Sequence, residues 1–178
     1  MRRFLLTVAL SLLTVPPATA AETVDAVWKE HKVDVRFIGL ATAYSCDLMK
    51  AKIEILLRHL GAHEIQVTVP TCAGFTYPQK DHRIFASFLT VVVAGEGDVD
   101  IVRAAWSEVE LGKRHPRSID DQDCELLESF QKNVLVTIEH EVIDGMTACG
   151  ASRRSVAGRL KLKVLKPIPE DGESKKNK

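Results

Sequence analysis

The sequence predicts an α+β domain: two strand-helix-strand-strand repeats building one mixed sheet, with the helices on one face. Three observations predict it. Residues 33–40 alternate like a strand and are followed by apolar residues at helical spacing; 104–111 and the segment after it do the same. The four cysteines fall into two similar pairs, with Cys46 and Cys124 opening the helical stretches and Cys72 and Cys149 following about two dozen residues later. The dipeptides His63-Glu64 and His140-Glu141 each stand nine residues upstream of the second cysteine. The helices align at an offset of 78 and the second strands at 77, so one deleted residue reconciles the halves and points to an internal duplication.

Each element has its own reason. Residues 1–20 run from Arg2-Arg3 through an apolar stretch, 4–15, to Pro16-Pro17 and a small-residue site at Ala18-Thr19-Ala20. That is the pattern of a cleaved secretory signal, with cleavage after Ala20 or Ala21 and an apolar run too short to span a bilayer. The incomplete motif around Arg2-Arg3 favours general export over the twin-arginine route. Residues 21–32 form a lead segment, either a short helix around Val27 and Trp28 or a loose stretch. The first repeat, 33–95, begins with a strand in which Val33, Val35 and Phe37 alternate with Asp34 and Arg36. Ser45 is an N-cap before Met49, Ile53, Leu56, Leu57 and Leu60, and Gly61 stops that helix. Strands at 64–69 and 83–94 complete the repeat, and Gly95-Glu96-Gly97-Asp98 joins it to the second, 96–167. There the elements are a strand at 104–111, a helix capped by Asp120 or Asp121 with Cys124, Leu127, Phe130 and Val134 on one face, and strands at 136–143 and 158–166. Lys161, Lys163 and Lys166 alternate with Leu160, Leu162 and Val164, as in a half-exposed strand whose lysines discourage edge pairing. Residues 168–178 are a polar, disordered tail.

An even cysteine count in an exported chain reads as disulfides, and spacing alone leaves three pairings open. Topology selects one. In a right-handed strand-helix-strand unit the two strands run the same way, so the helix start and the end of the second strand share an edge. The expected bridges are Cys46–Cys72 and Cys124–Cys149. Zinc ligation and thiol-disulfide chemistry both ask for closely spaced cysteines, which the chain lacks. No metal or cofactor is expected.

Composition narrows the partners. The 178 residues hold 24 basic and 24 acidic residues, and losing Arg2 and Arg3 with the leader leaves 22 against 24. A near-neutral chain is a poor nucleic-acid binder. Residues 88–94 have the length of a buried strand, so the processed chain is not expected to span a membrane. Four loops should share the edge that carries the bridges: 41–45, 73–82, 112–123 and 150–157. They form a candidate binding rim of Tyr44, Phe75, Tyr77, Lys113, Arg114, His115, Arg117, Arg153 and Arg154, suited to an anionic ligand or an acidic envelope protein. Adjacent His and Glu on a strand point to opposite faces, so the two His-Glu dipeptides read as polar strand positions, not catalytic or metal pairs. There is no Gly-x-Ser-x-Gly elbow, His-Glu-x-x-His helix or phosphate-cradling glycine loop.

The stretch Tyr44-Ser45-Cys46-Asp47, with the helix to Leu60-Gly61-Ala62 and then Cys72, resembles an uncharacterised family of small exported proteobacterial proteins. The similarity covers mainly residues 33–73, with a weaker echo at Asp123-Cys124-Glu125-Leu126. That family has no known activity, so the resemblance implies compartment and fold and carries no catalytic residues. The expected function is that of an exported, disulfide-stabilised envelope protein, periplasmic or secreted, acting as a binding or accessory module. The alternatives are a periplasmic enzyme, hydrolytic or thiol-dependent, using His82, His115 or a labile cysteine pair, and a structural or inhibitor protein whose aromatic loop 75–77 enters a target.

Overall fold

In the computed structural model, which describes residues 23–70, 77–145, 149 and 159–169, the elements follow the order β1 (Thr23–Ile38), α1 (Cys46–His59), β2 (His63–Thr68), β3 (Asp81–Val93), β4 (Val102–Leu111), α2 (Cys124–Asn133), β5 (His140–Gly145) and β6 (Leu160–Pro167). The strands make one sheet in the order β2-β3-β1-β4-β6-β5. Every neighbouring pair is antiparallel, which corrects the mixed sheet expected from sequence. β1 and β2 do run in the same direction, but β3 lies between them and hydrogen-bonds to both; β6 does the same between β4 and β5. Each crossover therefore leaves a one-strand gap, which the following strand fills.

The expectation of two equivalent repeats is corrected as well. β1 and β3 have 16 and 13 residues where β4 and β6 have 10 and 8, and α1 has 14 where α2 has 10. 3-10 turns at Asp121–Asp123 and Leu135–Thr137 flank α2, and the second of these occupies part of the strand expected at 136–143. Residues 23–32, expected as a lead helix or a loose stretch, are the first part of β1. The expected signal segment, 1–20, lies outside the described residues, as do 170–178 of the expected tail.

The sheet's two faces explain the core. In the β1–β4 register Thr23 faces Ala105 and Ala26 faces Val102, so odd-numbered residues of both strands share a face. On that face Val33, Val35 and Phe37 of β1 and Val109 and Leu111 of β4 join Met49, Ile53, Leu56 and Leu57 of α1 and Leu126, Leu127 and Phe130 of α2 in one cluster. Both helices thus cover the same side. Burying a side chain such as Phe37 or Phe130 is worth about 1.5–3 kcal/mol. On the opposite face a smaller cluster of Ala26, Val91, Ala104 and Leu165 holds the middle of the sheet.

Local chemistry sets the helix ends. The Ser45 hydroxyl accepts from the Leu48 amide at 3.3 Å and caps α1. Gly61, at φ 87°, closes the same helix, and a Cβ there would lie 2.9 Å from Cγ of Lys166. Lys166 donates to the His59 carbonyl at 2.8 Å, so β6 of the second half caps the helix of the first. Burial holds the Lys166 amine below its ordinary value. β6 is an interior strand, so its lysines do not guard an edge as expected.

The edge strands are β2 and β5, and both break register. β2 slips between His63 and Gln66, where Glu64 sits at φ 49°; β5 slips between Val142 and Asp144. On the outer face of the first half, Arg36 and Arg83 stand directly opposite one another. Each resolves the clash through a two-point pair with a diagonal carboxylate: Arg36 with Asp81 at 2.6 and 3.0 Å, Arg83 with Asp34 at 2.7 and 3.0 Å.

Candidate functional site

The loop after β1 and the loop after β4 meet at Tyr44. Its backbone pairs with Gln79 in both directions, at 2.9 and 2.8 Å, tying the start of α1 to the approach to β3. Its hydroxyl donates to Asp123 Oδ1 at 2.9 Å and lies 3.2 Å from the Gln122 carbonyl. The residue is 2 % exposed, which corrects its assignment to an exposed aromatic rim. Burial first, and the Asp123 carboxylate second, push the phenol well above its ordinary value, so it stays a proton donor.

Asp123 is the centre of this cluster. Its Oδ2 accepts from the Lys52 ammonium at 2.5 Å and from the Asp120 amide at 2.8 Å, while Asp120 caps the 3-10 turn before α2. Lys52 also donates to the Ser118 carbonyl at 2.9 Å. A buried ammonium and a buried carboxylate are tolerable only when each finds several partners, and here both do. Glu125, in the first turn of α2, completes the clasp. Its Oε2 accepts from the amides of Leu40, Ala41 and Thr42 at 2.9, 3.0 and 3.3 Å, so a second-half carboxylate fixes the turn that leaves β1. Sequence reading missed Lys52, Asp123 and Glu125. The available signal was Lys52 itself, a cation on the α1 face of Met49, Ile53 and Leu56.

The clasp supports a cationic loop. Gly112 and His115 exchange backbone hydrogen bonds at 3.0 and 2.9 Å, the Arg114 amide donates to Ile119 at 2.7 Å, and Ile119 donates to Pro116 at 2.9 Å. Arg114 is held at φ 62°. Within this loop Lys113 pairs with Asp121 at 2.6 Å, and His115 Nδ1 lies 3.7 Å from Glu110. Arg114 and Arg117 are exposed and make no ion pair among the described residues. Tyr77, 76 % exposed, stands two residues before Gln79 at the same end of the molecule. Of the remaining rim residues, Phe75, Arg153 and Arg154 lie outside the described residues.

The Cys124–Cys149 disulfide is formed, with the two Cα atoms 5.3 Å apart. The pairing follows from strand direction alone: β4 and β5 run the same way even though β6 separates them. Glu128 accepts from the Cys149 amide at 2.9 Å. Cys124, Glu128 and Cys149 put potential metal-ligand atoms within 4.8 Å of one another, but the two sulfurs are bonded to each other, so the trio belongs to the bridge. Cys46 is also disulfide-bonded; its expected partner Cys72 lies outside the described residues.

Of the two histidines considered for catalysis, His82 is fully buried, with Nε2 at 3.1 Å from the Tyr44 carbonyl and 3.0 Å from that of Gln79. That position locks two loops together and keeps solvent away. His115 is half-exposed beside Glu110. His63 packs edge-on against Trp28 at 5.0 Å, and His140 Nδ1 bonds the Ile138 carbonyl at 2.8 Å, so neither His-Glu dipeptide converges on a ligand. Among the described residues no helix is long and apolar enough to cross a membrane. No protein-family model matches the chain, and no curated protein or solved structure does.

Proposed function

We propose that this is an exported, disulfide-stabilised binding module of the bacterial envelope, periplasmic or secreted, which holds an acidic partner protein or anionic envelope ligand at the 112–119 loop. The observation that carries the reading is the pair of exposed guanidiniums, Arg114 and Arg117, on a loop already ordered by four backbone hydrogen bonds and by Lys52. Ordering before binding removes part of the entropic cost of association, and a guanidinium with no ion pair among the described residues can take a carboxylate or phosphate at two points. The leader-like residues 1–20, the disulfide and the likeness to small exported proteins support the compartment.

The test is photo-crosslinking in living cells from position 77, exposed at the same end of the molecule, in the otherwise native chain and in Arg114→Ser. A discrete adduct that weakens severalfold in the variant is expected. Irradiated in an extract, the same adduct should form less as the salt rises from 0.1 to 1 M, because the screening length shrinks from about 10 to about 3 Å. An adduct indifferent to both Arg114→Ser and salt would overturn the reading.

A further inference from the structure

The outer face of the first half carries a second surface, independent of the cationic loop. β2, β3 and β1 lie side by side there, and their registers set six side chains in a grid: Thr68, Phe85 and Asp34 in one row, Gln66, Ser87 and Lys32 in the next. These residues line an open groove of about 320 Å³, within the range of about 300–1,000 Å³ usual for small-molecule sites. Phe85 stands between Arg83 and Ser87 in the polar stretch of its face of β3, ahead of Leu89 and Val91, and it is 38 % exposed. Arg83 lies over its ring at 4.9 Å and is not among the residues that line the groove, whereas Phe85 is.

We infer that this grid is a binding platform for a neutral saccharide chain. Its charges are already balanced: Lys32 pairs with Glu30 at 3.0 Å, and Asp34 with Arg83 at 2.7 Å. The lining carries one positive and one negative group, so it selects neither an anion nor a cation. An apolar ring beside an amide, two hydroxyls, a carboxylate and an ammonium offers what a pyranose needs, an apolar C–H face to stack and hydroxyls that both donate and accept. The Arg36–Asp81 and Arg83–Asp34 pairs continue the exposed polar surface past the groove, which gives a chain of sugars room to extend. An extended peptide would instead seek main-chain partners along a strand edge, whereas these side chains stand on the face of the sheet across three paired strands.

The experiment is amide NMR on the full processed chain, titrated with chitotetraose, a neutral β-linked N-acetylglucosamine tetramer, and with cellotetraose. Shifts confined to residues 32–34, 66–68 and 85–87 are expected with at least one of them at millimolar concentration. Phe85→Ala should weaken binding about tenfold, a loss of about 1.4 kcal/mol. Gln66→Ala, at an exposed edge position, should weaken it severalfold and leave the rest of the spectrum unchanged, which separates lost contact from lost fold. The inference is overturned if neither tetramer shifts these amides at about 10 mM. It is equally overturned if Gln66→Ala and Phe85→Ala bind like the native chain, or if tetragalacturonate or an acidic peptide takes the groove in preference to both neutral sugars.

Discussion

The two halves of the sheet solve the same packing problem with different resources. In the N-terminal half β1 and β3 pair over 13 positions, and a helix of 14 residues with a serine cap and a glycine stop covers them. In the C-terminal half β4 and β6 pair over eight positions, α2 has 10 residues between two 3-10 turns, and the edge strand β5 is exposed along nearly its whole length. The shorter half has less apolar surface to bury. It is held by links to specific atoms: the Cys124–Cys149 bond, the Asp123–Lys52 pair and the Glu125 carboxylate on the amides of 40–42. Two of those three reach into the other half, so the smaller unit is stabilised mainly where it touches the larger one.

The clasp is the place to break that arrangement. Asp123→Ala takes from the buried Lys52 ammonium its nearest counter-charge, leaving it the Ser118 carbonyl and Asp120 at 3.5 Å, and leaves the Tyr44 hydroxyl only the Gln122 carbonyl; it should cost about 3–5 kcal/mol, read as a lower urea midpoint. Asp81→Ala on the exposed outer ladder should lower that midpoint far less, by at most about 1 kcal/mol, because solvent screens the pair. Equal losses in the two variants would show that the clasp is no more important than the surface ladder.

A smaller effect is expected from Cys124→Ser with Cys149→Ser. The bridge closes a loop with a sequence separation of 25, worth about 3 kcal/mol in the chain-entropy model. Hydrogen exchange should then accelerate in α2 and β5 before β1 and β3. Uniform acceleration across the sheet would mean that the halves open together.

The smallest effect is a pH dependence seated in the larger half. His31, whose Nε2 lies 2.8 Å from the Thr90 hydroxyl, is held below its ordinary pKa by burial and then by Lys29; His59 is lowered chiefly by burial. Below about 6.5 the unfolded chain takes up protons that the folded chain refuses. Stability is therefore full above that pH and declines as pH falls toward the folded values. His31→Gln, which keeps a partner for Thr90, should flatten the decline in urea midpoint between pH 7 and 5. An unchanged slope would assign the effect elsewhere.

How much of this was legible in the sequence depended on whether a signal was local. Helix α1 was readable because its cap, its apolar stripe and its stop are contiguous. The Cys124–Cys149 pairing was readable because it needs only strand direction. The start of β1 was hidden because its buried face changes sides: Ala26 packs on the outer cluster and Val33 on the inner one, so no single alternation runs from Thr23 to Ile38. Strand order was not readable, since β3 enters the gap between β1 and β2 through ladders whose partners are distant in sequence. Tyr44 looked like a rim aromatic because Asp123, which makes its burial tolerable, lies 79 positions away.

The slipped registers of β2 and β5 have a consequence for life at high concentration. An open sheet has two free margins, and regular ones would let each molecule seed the next into a ribbon without end. Here each margin bears one residue that cannot continue a ladder, at the left-handed Glu64 on one side and at the slip around Ile143 on the other. A chain folding at high concentration is thereby steered toward finishing itself and away from joining its neighbours.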